Sequence, residues 1–226
     1  MTSILEKFIS VIAPHRCILC SKENNVLCVA CFPEVFDDPC QSCYLCDIPT
    51  IEAKPCPTCR LKTNISHIWL AGTYDGPRRE LIKRYKFDRC RSAYETLAEA
   101  LDSTLPYFED IIVVPIPTAA PHIRIRGYDH AALMARELAR RRGWRYEPAL
   151  RRRHALRQVG ASKAQRTRQA GTAFELVGAR KLHGARVLLI DDVVTSGATM
   201  TAAAHVIATA KPQDIMAAAV AKQTLS

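Results

Sequence analysis

Two adjacent carboxylates, Asp191 and Asp192, follow four apolar residues, Val187, Leu188, Leu189 and Ile190. After them come Val193, Val194, Thr195, Ser196, Gly197, Ala198 and Thr199, and then an Ala-rich stretch. Each part of this run has a chemical use. A buried strand holds the acids at its carboxyl end, where open α/β sheets bind ligands. A loop of hydroxyl residues and glycine wraps a phosphate with backbone N–H groups, and the helix behind it adds the positive end of its dipole. Carboxylates beside such a cradle suit a sugar with vicinal hydroxyls, or a Mg²⁺ ion. No G-x-x-x-x-G-K loop is present, which argues against a nucleoside triphosphatase.

The cysteines carry a second chemistry. Cys17/Cys20, Cys28/Cys31, Cys40/Cys43 and Cys56/Cys59 form four Cys-x-x-Cys pairs, with Cys46 and Cys90 left over. Two such pairs supply the four thiolates of one tetrahedral Zn²⁺, so four pairs serve two ions. A disulfide framework is the alternative; it needs an export signal and an oxidising compartment, and no such signal is read here. The simplest assignment joins Cys17/Cys20 with Cys28/Cys31, and Cys40/Cys43 with Cys56/Cys59. Interleaved pairing is also compatible with the spacing, and Cys46 can stand in for Cys43. Cys90 reads as a free thiol or core residue.

Charge separates the two chemistries. The chain carries a formal net charge of +10, yet its first 60 residues hold more acids than bases. The excess gathers between Arg136 and Arg168, a concentration that points to a polyanionic partner. Candidate nucleic-acid contacts are Lys83, Arg84 and Lys86, interleaved with Tyr85 and Phe87, then Arg124, and then Arg151, Arg152, Arg153, Arg157, Lys163 and Arg166.

The elements that must position these groups alternate. Strands are expected at 68–74, 111–115, 173–176, 187–190 and 215–220. Helices are expected at 79–87, 94–105, 131–142 and 199–210, with a loop over 117–128. The fold class is therefore α/β with a mostly parallel sheet and right-handed crossovers, preceded by a small cysteine-rich zinc-binding domain. The expected organisation is an amphipathic helix over 1–14, a double zinc-ribbon-like domain over 15–62 and the α/β domain over 66–226. The apolar residues of the first segment are too few and too mixed for a membrane span or a secretory signal, so the expected location is the cytoplasm.

The stretch Asp191–Thr199 resembles the binding motif for phosphoribosyl pyrophosphate (PRPP) in type I phosphoribosyltransferases. That resemblance implies that Asp191 and Asp192 address the ribose hydroxyls and that Thr195 to Thr199 hold the 5′-phosphate, with Mg²⁺ accompanying PRPP. It also implies a pyrophosphate loop at Arg126, Gly127 and Tyr128. The cysteine knuckles, Leu81–Phe87, Val114-Pro115-Ile116-Pro117, Arg124–Tyr128, the Arg-rich stretch and the PRPP motif together resemble the ComF family of DNA-uptake proteins. One departure is Gly127-Tyr128-Asp129-His130, where Gly-Phe-Asn-Gln is expected. The family resemblance implies handling of incoming single-stranded DNA in natural transformation. It leaves two other functions open: a transferase with an unidentified acceptor, or a zinc-module scaffold recruiting a competence helicase or recombination protein.

Overall fold

The computed structural model describes residues 15–23, 25–87, 90, 92–153 and 173–224. The helix expected over 1–14, and Arg157, Lys163 and Arg166, lie outside the described residues.

A five-stranded sheet organises the C-terminal two-thirds of the chain. Its strands are β1 (His67–Leu70), β2 (Ile111–Pro115), β3 (Arg145–Tyr146), β6 (Arg186–Val194) and β7 (Asp214–Lys222). They run parallel in the order β1-β7-β6-β2-β3. Parallel strands covered on both faces read as continuous apolar runs, and β2, β6 and β7 do so. Their alternate side chains feed two separate cores. Ile111, Val113, Leu188, Ile190, Met216 and Ala218 face one; Ile112, Val114, Val187, Leu189, Ala217 and Ala219 face the other.

The first core packs against three helices, α3 (Gly76–Phe87), α4 (Ala93–Thr104) and α6 (His130–Arg142). Helix α7 (Ala198–Ala208) covers the opposite face through Met200, Ala203, Ala204 and Ile207. Two further strands, β4 (Leu150–Arg152) and β5 (Phe174–Leu176), pair antiparallel outside the main sheet.

Three differences from the sequence expectation have physical causes. Strand β6 does not stop at Ile190: the β-branched Val193 and Val194 keep pairing with Ala221 and Lys222. Both acids therefore lie inside a paired strand. The loop expected over 117–128 contains a short helix, α5 (Ala120–Arg126), with a proline in its first turn and Gly127 (φ 84°) capping its end. The strand at 173–176 belongs to the small β4–β5 pair rather than to the parallel sheet.

The cysteine-rich region adds two short helices, α1 (Phe32–Phe36) and α2 (Pro57–Arg60), and two knuckles built alike. In each, the first cysteine N–H donates to a carbonyl five residues on: Cys17 to Lys22, and Cys43 to Ile48. Ser21 and Asp47 then occupy equivalent positions with φ of 61° and 60°. The second knuckle reaches the sheet. Asp47 pairs with Lys222, a lysine with no exposed surface at the end of β7. The buried Arg78 donates to the carbonyls of Thr73 (2.7 Å) and Val35 (2.5 Å), tying α3 to α1.

Removing one partner of a buried ion pair strands the other's charge. Asp47→Ala is expected to lower unfolding free energy by about 3 kcal/mol. Denaturant titration at neutral pH, compared with an exposed control such as Glu109→Ala, measures the difference.

Candidate functional site

The site assembles where β2 and β6 end. A cleft of about 280 Å³ is lined by Lys86, Ile116, Pro117, Thr118, Ala119, His122, Arg126, His130, Arg152 and Asp191. Three elements contribute its cations: α3 gives Lys86, α5 gives Arg126 and β4 gives Arg152, with His122 also on α5. Asp191 enters from the central strand.

The two adjacent carboxylates differ sharply. Asp192 is buried, its Oδ1 2.8 Å from Lys86 Nζ and its Oδ2 2.6 Å from His130 Nε2. The histidine contact is close in distance without hydrogen-bond alignment at Oδ2. Burial alone would raise the Asp192 pKa, but Lys86 and His130 outweigh it and hold the carboxyl well below its usual range. Asp191 goes the other way: burial, and then the charge of Asp192, push it up to about 7. Asp191 borders the cleft, and its Oδ1 accepts the Asp192 N–H at 2.9 Å. Of the two acids expected to face a pentose, Asp191 borders the open cleft, while Asp192 lies against Lys86 and His130.

The departure at Asp129-His130 has a structural account. Asp129 caps α6, its Oδ1 accepting the Ala132 N–H at 3.1 Å, and it also accepts from Thr118 N and Oγ1. Asp and Asn serve equally well as caps. His130 bridges two site residues. Arg126 Nη1 lies 2.9 Å from His130 Nδ1, and an arginine can only donate. Nδ1 is therefore the acceptor, and the ring proton sits on Nε2, the nitrogen facing Asp192.

The other expected phosphate-loop residues divide. Arg126 stays at the cleft, its guanidinium over the ring of Phe87 at 5.2 Å. Gly127 serves as the helix cap of α5, and Tyr128 turns into the protein, its hydroxyl donating to the Tyr85 carbonyl. Tyr128 therefore does not line the cleft, because the apolar contact with Tyr85 and that carbonyl hold it inside. At the end of β6, Thr195, Ser196, Ala198 and Thr199 are exposed and Gly197 is buried with φ 74°.

The basic candidates also separate. Strand alternation sends Arg152 to the cleft, where it donates to the Pro117 carbonyl. Arg151 and Arg153 turn the other way, toward Glu175, at 3.0 and 3.9 Å. Arg84 pairs with Glu80 away from the cleft, while Lys83 and Arg124 are exposed. Of the two aromatics on α3, Tyr85 is fully buried and donates to the His130 carbonyl, whereas Phe87 is 64% exposed.

The thiols gather into two groups of four, Cys17/Cys20/Cys28/Cys31 and Cys43/Cys46/Cys56/Cys59, with the sulfurs of each group within 4.8 Å of one another. A tetrahedron with metal–sulfur bonds of ~2.3 Å has edges of ~3.8 Å. The Cys20–Cys28 and Cys46–Cys56 sulfurs, each 3.6 Å apart, match that shape. Backbone N–H groups favour the thiolate form at one cysteine of each group, while the bond to Cys28 pushes Cys31, and burial pushes Cys59, up to about 12. Burial raises Cys17, yet donors at Cys20, Cys28 and Leu19 bring it to about 6. The Cys59 N–H leads in lowering Cys56 to about 7. Both groups fit zinc.

Cys46 takes the place expected for Cys40. Cys40 instead donates its N–H to the Leu70 carbonyl, with its sulfur 3.2 Å from Ser42 Oγ. The signal was present in the sequence, since Cys43-x-x-Cys46 is itself a knuckle. Its offset from Cys17-x-x-Cys20 matches the paired turn residues Ser21 and Asp47.

Comparison with known proteins places the fold. Residues 126–224 match the phosphoribosyl transferase domain family. Over 203 residues the chain is 23% identical to competence protein ComFC of Streptococcus pneumoniae (strain ATCC BAA-255 / R6), covering 88% of each. It is 29% identical over 204 residues to competence protein F of Haemophilus influenzae (strain ATCC 51907 / DSM 11121 / KW20 / Rd), covering 82% of this chain and 87% of that one. The chain is ComF-like over most of its length. Its fold is the phosphoribosyltransferase-like α/β type, preceded by two four-cysteine groups. A solved structure, the allosteric regulatory enzyme of purine biosynthesis, aligns with a TM-score of 0.42 at 18% identity, over 57% of this chain and 25% of that one. Among the described residues, no helix is long and apolar enough to cross a membrane.

Two outcomes follow from this geometry. Cys46→Ser is expected to lose one of two bound zinc equivalents, while Cys40→Ser keeps both; metal analysis of the purified variants reads this directly. Asp191, with its folded pKa raised, binds more protons folded than unfolded between about pH 4 and 7, so it costs stability as pH rises through that window. Asp191→Asn removes the cost. In Mg²⁺-free denaturant titrations the variant should exceed wild type most at pH 8, with the gap narrowing by pH 5.5.

Proposed function

We propose that this chain is a competence-associated protein that handles incoming single-stranded DNA in the cytoplasm and binds PRPP, with Mg²⁺, in the cleft at the ends of β2 and β6. The observation that carries the reading is the convergence of Lys86, Arg126 and Arg152 on one cleft beside Asp191. The relatives named as competence proteins support the biological setting. The match to the phosphoribosyl transferase domain supports the ligand class.

Each residue then has a task. Arg126 and Arg152 offer planar forks that suit phosphate oxygens, and Lys86 adds a point charge. Asp191 accepts ribose hydroxyls and is the carboxylate that would hold Mg²⁺, an ion usually bound by one or two carboxylates plus ligand phosphates. That ion would neutralise the diphosphate of the ligand. Asp192 orders the site from behind by fixing Lys86 and His130. The exposed Thr195–Thr199 loop receives the 5′-phosphate.

For DNA, the exposed surface beside the cleft supplies Lys83 and Arg124, with Arg126 lying over the exposed ring of Phe87. An exposed aromatic beside cations is a stacking platform for an unpaired base. Arg151 and Arg153 share Glu175 and contribute less free charge than their number implies. The two zinc ions hold the cysteine-rich region in shape.

Calorimetric titration of PRPP with Mg²⁺ tests the pocket. Wild type should bind, Arg152→Ala should lose tenfold or more, on the order of 1.4 kcal/mol, and Arg151→Ala should bind as wild type does. Equal losses in the two variants would sink the assignment. In fluorescence anisotropy with single-stranded DNA, Phe87→Ala should cost about 1–3 kcal/mol.

A further inference from the structure

The second knuckle is seated on the loop assigned to the phosphate. A methyl group added at Gly197 would lie 2.7 Å from Leu45 Cδ2 and 2.8 and 2.9 Å from two ring carbons of Tyr44. No side chain larger than hydrogen fits there, so Tyr44 and Leu45 form a wall against this loop. Tyr44 is fully buried. Its hydroxyl donates to Thr63 Oγ1 at 2.7 Å and shares a hydrogen bond with Thr201 Oγ1 at 2.9 Å. Thr201 in turn donates its N–H to the Gly197 carbonyl at 2.9 Å. The helix side of the loop is thus held by one knuckle.

The strand side is held by the same knuckle. Asp47 pairs with Lys222, Lys222 stands opposite Val194 in the sheet, and Gln223 N donates to the Val194 carbonyl at 2.8 Å. Tyr44, Leu45 and Asp47 all lie within or directly after Cys43-x-x-Cys46, whose two sulfurs belong to one four-thiol group. A metal in that group would fix both ends of this turn, which its own backbone bonds, Cys43 N to Ile48 O and Asp47 N to Cys43 O, already close. The first group stands apart from the loop: Cys17 and Cys28 pack into the core on the other face of the sheet, with Val35, Phe36 and α3.

We propose that zinc at Cys43/Cys46/Cys56/Cys59 and a sugar phosphate at Thr195–Thr199 bind with positive coupling, transmitted by Tyr44 and Leu45 as positioning residues for the loop. This rests on the phosphate-loop reading above. The physical warrant is that both ligands favour the same seated state of one turn. Without the ion, Cys43 and Cys46 lose a shared anchor, and the wall behind Gly197 loosens. Linkage then requires the reciprocal effect, so the sugar phosphate must tighten the second zinc by the same factor. The first zinc should not respond.

The test uses the full chain with both zinc ions, and ribose 5-phosphate as probe, so that no added Mg²⁺ interferes. Calorimetry first establishes whether ribose 5-phosphate binds. Equilibrium competition with a chromogenic zinc chelator is then measured with and without saturating probe. The expected result is two zinc affinities, of which one tightens by about fivefold or more and the other is unchanged. Cys46→Ser should retain only the unresponsive site. Leu45→Ala should bind two zinc ions and lose the tightening, while Tyr44→Phe, which keeps the ring, should retain most of it. If the probe binds and neither affinity changes, or both tighten equally, the coupling is overturned and the pocket stands. If ribose 5-phosphate does not bind, the loop reading falls and takes the coupling with it.

Discussion

A buried carboxylate charge governs the arrangement of this site. Asp192 lies on the central strand, nearly shut off from water, and its pKa is held low. An isolated charge there would be prohibitively costly, so the surrounding elements must bring compensation. Helix α3 brings the Lys86 ammonium and helix α6 brings the His130 ring. Arg126 then fixes the tautomer of that ring from its far side. The same charge compensation around Asp192 therefore draws three helices around one strand end. A cationic cleft is its by-product, with Asp191 left to face it.

Much of this was legible in the chain. Four apolar residues before two acids announce a central parallel strand, and the alternating elements announce the sheet. Periodicity did not show that Val193 and Val194 extend the strand past the acids, because pairing with β7 decides that. Nor could residue type separate Asp191 from Asp192. Their difference arises from where Lys86 and His130 arrive, more than 50 residues away in sequence. The Arg151–Arg153 run was equally opaque: only the pleat of β4 sorts its three identical side chains between the cleft and Glu175.

The choice of thiols is a matter of register. Three overlapping cysteines, Cys40, Cys43 and Cys46, offer two ways to read a Cys-x-x-Cys pair. Spacing admits both. The left-handed turn residue after each knuckle breaks the tie, since Asp47 stands to Cys43 as Ser21 stands to Cys17. A backbone conformation, invisible to composition, thus selects the fourth sulfur. Cys40 is released to serve the junction with β1 through its N–H bond to Leu70.

The junction between the cysteine-rich region and the sheet runs through two buried cations, Arg78 and Lys222. Arg78 threads past Gly72, whose missing side chain is what gives the guanidinium its passage, and ends on the Val35 carbonyl. Lys222 ends on Asp47. Cutting the chain between residues 62 and 66 would take an acceptor from each. The seam between the two regions is covalently thin but electrostatically deep.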